Sequence, residues 1–204
     1  MAGETKERIL NTALALFSQR GYLGTSMSDI ANELGMTKGA LYKHYTSKQE
    51  ILDRITARMG ELDQERAQAY QMPDGFAEDY RNTPAEKIRT YSVAQFRHWT
   101  EDGFSARFRK LLTLEQYRAP AFATLYQNYL ASRPVAYMAE IFRTMTDSNE
   151  SAMQLALEFY GPIYLLYSIY DGTEDKEAVI QQLQTHIDRF IRRMEQTQRE
   201  EGKA

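Results

Sequence analysis

The stretch that decides the fold runs from residue 25 to residue 45 and reads TSMSDIANELGMTKGALYKHY. Ser26 followed by Asp29 is a capping pair that opens a first short helix, and Gly35 ends it because glycine adopts the left-handed conformation found after helix C-termini. Thr37 can cap a second short helix, over about 38–45. Two short helices joined by a tight turn form a helix-turn-helix, which binds DNA when its second helix protrudes.

Apolar and polar positions within this stretch separate an inner from an outer face. The inner residues, which can pack against the preceding helix, are Ile30, Ala31, Leu34, Met36 and Leu41. The outer residues supply hydrogen-bond donors, a small residue that permits close approach and an aromatic hydroxyl: Thr37, Lys38, Gly39, Tyr42, Lys43 and His44. This outer face suits a DNA duplex. Two alternatives stay open: Tyr42 can be a core aromatic residue, and Lys38 can be an exposed lysine that contacts no specific base.

Helical spacing continues on both sides of this stretch, without sustained strand-like alternation. Residues 6–20 repeat apolar positions at helix spacing, and Gly21 ends that helix. Ser47-Lys48-Gln49-Glu50 is a capping box that opens a longer helix to about residue 70. Residues 71–83 indicate a loop, through Pro73, Asp74, Gly75 and Asn82. Further helices are predicted after Thr83-Pro84 and over about 105–117, 119–132, 134–146, 150–170 and 174–198. The fold class is therefore all-α.

Composition excludes several kinds of site. The 204 residues include no cysteine and three widely separated histidines, so disulfides, thiolate nucleophiles and cysteine-based zinc sites are excluded. No apolar run is long enough for a signal segment or a membrane span, so we expect a cytoplasmic protein without membrane association. The net charge of −3 does not suggest nucleic-acid binding, but residues 35–49 contain three lysines and no acid. Binding depends on the phosphates neutralised at the contact rather than on total charge.

Two other function classes are alternatives to DNA binding. A helical enzyme would need a nucleophile with a base, a metal cluster or a phosphate loop, and the chain has neither Gly-x-Ser-x-Gly nor a P-loop. We therefore expect no enzyme, no metal and no cofactor. A carrier or sensor of small molecules that has lost DNA binding is the other alternative, and the intact motif argues against it.

Residues 25–52 resemble the signature of the TetR family of bacterial transcriptional regulators. The matching positions are Thr25, Ile30-Ala31, Leu34-Gly35-Met36, Gly39, Leu41-Tyr42, His44-Tyr45, Lys48 and Leu52. Family members more often have Phe where this chain has Tyr45. The resemblance covers about the first quarter of the chain. It implies a helix-turn-helix DNA-binding domain over 1–47 and a helical effector-binding and dimerisation domain over 48–204.

The resemblance also implies roles for individual residues. Thr25 and Ser26 match phosphate-contacting positions at the start of the motif's first helix. Contacts to the DNA backbone are implied for Tyr42, His44 and Lys48. The implied groove-facing set is Ser28, Thr37, Lys38, Gly39 and Lys43. Ser26 as a cap alone, and Lys48 as a solvated charge, remain alternatives. The implied partner is double-stranded DNA with a palindromic operator.

The helix over 150–170 is apolar on nearly all sides, so it needs two partners. One can be its own domain and the other a second subunit, whereas a fully buried helix in a monomer is the alternative. The resemblance implies a homodimer formed by this helix and the last one. The predicted interface residues are Phe159, Ile163, Tyr167, Leu183, Ile187 and Phe190. Gly161-Pro162 predicts a kink, a local opening of the helical hydrogen bonds or a close approach at the interface.

An aromatic-rich stretch over 91–142 separates the motif from these last helices. The resemblance implies that a small, often apolar effector binds there and releases a repressor from its operator. Aromatic side chains with a few polar groups suit such a ligand, although each of them can also be a core residue. The predicted pocket residues are Phe96, His98, Trp99, Phe108, Glu115, Tyr117, Phe122 and Tyr126.

Overall fold

The computed structural model describes residues 2–73, 77–80, 83–146 and 148–201, with side chains except at 2, 77, 78 and 197–201. The all-α prediction is confirmed, because these residues form helices and no strand. The helices are α1 Ala2–Arg20, α2 Met27–Glu33, α3 Lys38–Tyr42, α4 Lys48–Ala69, α5 Ala77–Tyr80, α6 Ala85–Glu101, α7 Gly103–Glu115, α8 Pro120–Leu130, α9 Ser132–Arg143, α10 Asn149–Gly172 and α11 Lys176–Glu201.

Most predicted helices are present, with differences at their ends. Helix α3 stops at Tyr42, so the predicted second helix of the motif is shorter than expected. Helix α5 lies inside the predicted 71–83 loop, and Asp74, Gly75 and Asn82 of that loop fall outside the described residues. No helix in the described part of the chain is long and apolar enough to span a membrane.

The chain divides into two compact units. The first contains Met1–Arg66 and Glu101–Gln127, and the second contains Ala67–Thr100 and Asn128–Ala204. The first unit therefore includes, besides the predicted 1–47 domain, most of α4, all of α7 and most of α8. A boundary after residue 47 stays a prediction.

The core of the first unit is built from the motif and its neighbours. Helix α1 packs against α2 and α7. Its fully buried side chains include Ile9, Leu14 and Phe17, and each such residue contributes about 1.5–3 kcal/mol of burial free energy. Gly21 ends α1 with φ +80° and Gly35 follows α2 with φ +65°, so both predicted stops adopt the left-handed conformation.

The core of the second unit contains all six residues predicted for the dimer interface, which is a correction. In the single chain, the buried side chains are Phe159, Ile163, Tyr167, Leu183, Ile187 and Phe190. The rings of Phe159 on α10 and Phe190 on α11 lie 5.0 Å apart. Side chains enclosed within one chain have almost no surface to offer a second chain. They hold α10 against α11 instead.

The other side of α10 is apolar and exposed. Its large side chains are 40–58% exposed and comprise Met153, Leu157, Tyr164, Leu165 and Ile169. Gly161 also lies on this side, and a Cβ added there would meet no described atom within 4 Å, apart from its chain neighbours and own helix backbone. These six residues are called the outer face of α10 below.

Pro162 lies inside α10 without ending the helix. It has no N–H, so the carbonyl of Glu158 loses its helical partner. The next carbonyl, that of Phe159, lies 2.9 Å from His186 Nε2 of α11. With the ring proton on Nε2, His186 donates to this carbonyl and joins the two helices.

Replacing His186 by Phe should lower the free energy of unfolding by about 1–3 kcal/mol, because the part-buried carbonyl loses a donor while the ring contact is kept. Urea unfolding measures this change. His186→Asn, whose amide can donate, is expected to lose less. Equal stability of the Phe variant and the wild type would show that the contact contributes nothing.

Candidate nucleic-acid interface

The start of α2 is fixed by a reciprocal pair of side chains. Ser26 Oγ accepts a hydrogen bond from the Asp29 N–H at 3.2 Å, and the Asp29 carboxylate accepts from the Ser26 N–H at 2.7 Å. The Ser26 hydroxyl also donates to this carboxylate, at 2.5 Å. These bonds hold the pKa of Asp29 below its usual value. The predicted capping pair is present, and Ser26 serves as the cap while its side chain stays exposed.

Helix α3 presents a polar face away from the core. Thr37 caps it by accepting from the Ala40 N–H at 3.1 Å, and Leu41 is fully buried. The Lys38 ammonium lies 5.9 Å from the centroid of the Tyr42 ring, which is 42% exposed. The predicted DNA-contacting residues that are exposed are Ser26, Thr37, Lys38, Gly39, Tyr42 and Lys43, and those that are half-buried are Ser28 and His44.

Gly39 on this face has no structural requirement visible in the described chain. It lies in a helix, and its φ is outside the left-handed region that favours glycine. A Cβ built there would meet no described atom within 4 Å, leaving aside its chain neighbours and own helix backbone. A helical glycine costs about 0.5–1 kcal/mol relative to alanine. The polar face of α3 therefore has open space at its centre, where a side chain at position 39 would lie.

Thr25 does not contribute to this face, which corrects the expected phosphate contact. Its side chain is 1% exposed, and its hydroxyl donates to the Gly21 carbonyl at 3.0 Å. This bond closes the turn between α1 and α2. A buried hydroxyl that already donates within the turn is not available to a phosphate.

Lys48 has a structural role that the sequence did not predict. Its ammonium donates to the Tyr22 carbonyl at 2.7 Å and to the Thr25 carbonyl at 2.8 Å, and it lies 4.2 Å from the Tyr22 ring centroid. Burial lowers the pKa of Lys48, whereas the charges of Asp29 and Glu115 raise it. Lys48 is therefore a partly buried cation that ties α4 to the 21–25 turn through two of its three N–H groups, and the expected phosphate contact stays a prediction.

The predicted effector-pocket residues are divided between the two units. Phe96, His98 and Trp99 are buried in the second unit. The first unit buries Phe108, Glu115, Phe122 and Tyr126. Tyr117 is 90% exposed, so it cannot line an enclosed pocket, and its assignment is corrected. Two grooves in the described part of the chain, one beside Arg89 and Asp188 and one beside Arg20 and Arg107, are lined by none of these eight residues.

Two of these residues contact the turn between α1 and α2. The Phe122 ring lies 5.2 Å from the Tyr22 ring, and Glu115 accepts a hydrogen bond from the Tyr22 N–H at 3.3 Å. The sequence predicted no role for Tyr22. Its partners are 93 and 100 residues away in the chain, so no local spacing could have identified it.

A sequence model of the family described as "Bacterial regulatory proteins, tetR family" matches residues 9–55, which include α2 and α3. Over residues 9–55, the chain matches the TetR family. It is 41% identical over 68 residues to the HTH-type transcriptional regulator AcrR of Shigella flexneri, a match that covers 31% of this chain and 32% of AcrR.

A second relative is the negative transcriptional regulator IcaR of the biofilm operon icaADBC in Staphylococcus epidermidis. The identity is 44% over 46 residues, covering 22% of this chain and 25% of IcaR. The matches thus span about a third or less of these curated TetR-family relatives.

The whole fold is similar to solved structures of the family. The SmeT–triclosan complex superposes with a TM-score of 0.65 at 20% identity, covering 92% of this chain and 90% of SmeT. At this identity the similarity concerns the fold alone. The predicted architecture, an N-terminal helix-turn-helix domain followed by a helical domain, is confirmed.

Proposed function

We propose that this TetR-family protein is a sequence-specific DNA-binding repressor that binds a palindromic operator as a homodimer and is released by a small-molecule effector. The observation that supports DNA binding most directly is the polar face of α3, with two exposed lysines around an exposed helical glycine. The alternative functions, an enzyme or a carrier that does not bind DNA, have no comparable observation in their favour.

The chemistry of this face fits a DNA groove. Lys38 and Lys43 can donate to a guanine edge or to phosphate, and a good base contact discriminates by about 1–3 kcal/mol. Tyr42 adds a hydroxyl, and Thr37 a further polar group beside the glycine. Because the buried Thr25 hydroxyl already donates within the turn, the proposed contact set is Ser26, Ser28, Thr37, Lys38, Gly39, Tyr42, Lys43, His44 and Lys48.

The outer face of α10 supports the homodimer. Five large apolar side chains on one helix face form an exposed stripe, and such stripes mark interaction sites. Gly161 leaves room for a second helix to approach closely. A two-fold axis through this face would pair α10 with its copy and provide two α3 helices for the two halves of a palindrome.

Repression and release by an effector are proposed by similarity. IcaR is named a negative regulator, and the SmeT structure is a complex with triclosan, a small molecule. For this chain, the proposed effector class is small and largely apolar. The buried residues that stay candidate contacts are considered for each unit by itself: Phe96, His98 and Trp99 in the second unit, and Phe108, Glu115, Phe122 and Tyr126 in the first. Binding would favour a conformer whose α3 helices no longer match the operator. Mass spectrometry of a ligand released from purified protein tests this step.

The DNA contact is tested by selecting sequences from a random duplex library with the wild-type protein. The double variant Lys38→Gln/Lys43→Gln should bind the selected DNA at least about tenfold more weakly per dimer. The slope of log Kd against log salt concentration should fall by about one for every phosphate that the dimer no longer neutralises, and thus by about two for each phosphate lost per chain. Gel shifts at several salt concentrations measure both quantities.

The control is Lys87→Gln/Lys110→Gln, which removes the same charge from α6 and α7. It should keep the wild-type affinity and salt dependence. If the library yields no preferred sequence, or if both double variants weaken binding equally, the proposed DNA contact is wrong.

A further inference from the structure

Glu115, at the C-terminal end of α7, is a carboxylate removed from solvent. Its side chain is 1% exposed, and Oε1 accepts hydrogen bonds from the Tyr22 N–H at 3.3 Å and from Arg118 Nη1 at 2.9 Å. Oε2 is buried and has no hydrogen-bond partner among the described residues. Burying an incompletely bonded carboxylate is unfavourable, so its position needs a reason.

Gly21 shows how closely this carboxylate approaches the turn between α1 and α2. A Cβ at position 21 would lie 2.7 Å from Glu115 Oε1 and 2.8 Å from Arg118 Nη1. Gly21 also has φ +80°, a conformation that other residues adopt at a cost. Glycine at position 21 therefore serves two purposes: it ends α1 in the left-handed conformation, and it leaves room for the Glu115 carboxylate.

Lys48 binds the same turn through its carbonyl groups. Its ammonium donates to the carbonyls of Tyr22 and Thr25. Tyr22 is thus bonded through its N–H by α7 and through its C=O by α4. Thr25 immediately precedes Ser26, the cap of α2, so the bond to Thr25 fixes the point at which α2 begins.

Aromatic packing reinforces this arrangement. The centroid of the Tyr22 ring lies 5.1 Å from that of Phe17 and 5.2 Å from that of Phe122. The Tyr22 hydroxyl donates a hydrogen bond to Gln49 Oε1 at 3.1 Å. The Glu115 charge also favours the ammonium form of Lys48. The bonds from Glu115 and Lys48 to residues 22 and 25 are called the turn clamp below.

We propose that Glu115 is a positioning residue for DNA binding, which acts through the turn clamp to set the orientation in which α2 and α3 meet the duplex. The inference rests on the proposed DNA-binding function. Glu115 itself touches no DNA. A displaced turn moves the start of α2, and α3 follows α2 after four residues, so base contacts are the first interactions to weaken.

Glu115→Gln is the central test, because it removes the charge while keeping the shape and an oxygen that can accept from Tyr22. Its Kd for the selected DNA should rise about tenfold. This factor corresponds to losing a hydrogen bond to a charged group, at the lower end of the strength that such bonds have. Its Kd for unrelated DNA at low salt should stay nearly unchanged, since phosphate attraction tolerates a shift that base contacts do not. Faster hydrogen exchange of the Tyr22 amide is the second readout.

Glu65→Gln is the matched control, since Glu65 is an exposed carboxylate on α4 that bonds Arg58 at 2.9 Å. It should leave both Kd values and the Tyr22 exchange rate at the wild-type level. Arg118→Gln is the second variant, because Arg118 is largely exposed and its replacement should not unfold the protein. It should change the same readouts in the same direction, by a smaller factor.

Measurements well below the Tm of each variant separate positioning from stability. The inference would be overturned if Glu115→Gln and Arg118→Gln both had the DNA specificity of the wild type and its exchange rate at the Tyr22 amide. Equal weakening on selected and unrelated DNA, together with a lower Tm, would also overturn it, because that result indicates a role in folding alone. Failure of the wild type to select any sequence would instead overturn the proposed function on which the inference rests.

Discussion

Replacing Leu157 by Glu is expected to convert the proposed dimer into monomers. Leu157 lies within the outer face of α10 and is 47% exposed in the single chain, so the change should be tolerated by the fold of one chain. In a dimer built on this face, two new carboxylates would lie near each other in an apolar interface. An unpaired buried carboxylate costs several kcal/mol, so the dimer Kd should rise at least about 100-fold.

Light scattering coupled to size-exclusion chromatography measures this effect directly. The control is Leu114→Glu on α7, which makes the same substitution at a leucine that is 48% exposed but lies in the other unit. That variant should have the wild-type molar mass. A dimeric Leu157→Glu protein would place the interface elsewhere, and a monomeric wild type would remove the dimer from the proposal.

Loss of the dimer should also change DNA binding. A monomer contacts one half-site, so its affinity for a palindrome should approach its affinity for a single half-site. The Leu157→Glu variant is therefore expected to lose discrimination between a palindrome and a half-site duplex, whereas Leu114→Glu should retain it. Titrating both duplexes at one salt concentration measures the difference.

The two apolar faces of α10 show what the sequence could and could not predict. Spacing alone indicated two faces and two partners. The choice of face depended on which side α9 and α11 cover, and that is a property of how whole helices pack together. Both faces are apolar, so composition could not distinguish Phe159, which is buried in the chain, from Leu157, which is exposed.

The helix-turn-helix was predictable because its determinants are local. Caps act over three residues, as Ser26 with Asp29 and Thr37 with Ala40, and a glycine ends a helix at its own position. Thr25 was misassigned, and the bonds of Lys48 to two carbonyls were not predicted, because these partners are fixed by the folded turn. The role of Glu115 depends on an approach across 93 residues, for which a single sequence contains no signal.

Replacing Gly39 by Leu is expected to abolish specific DNA binding while slightly stabilising the protein. The free chain has open space at this Cβ position, and leucine favours helix over glycine by up to about 1 kcal/mol. In the proposed complex the same space is filled by the duplex, so a four-carbon side chain would prevent the close approach that base contacts require. The Kd for the selected DNA should rise at least about 100-fold, which is equivalent to about two good base contacts.

Gly60→Leu is the matched control, because Gly60 is an exposed glycine in α4 whose Cβ position is equally open. It should stabilise the helix in the same way and leave DNA binding unchanged. For Gly39→Leu we expect a higher Tm together with a lower DNA affinity. This combination distinguishes a blocked contact from a damaged fold, because a damaged fold would lower both the Tm and the affinity. Undiminished binding by Gly39→Leu would show that α3 does not approach DNA at this residue, and the proposed orientation of its polar face would then be wrong.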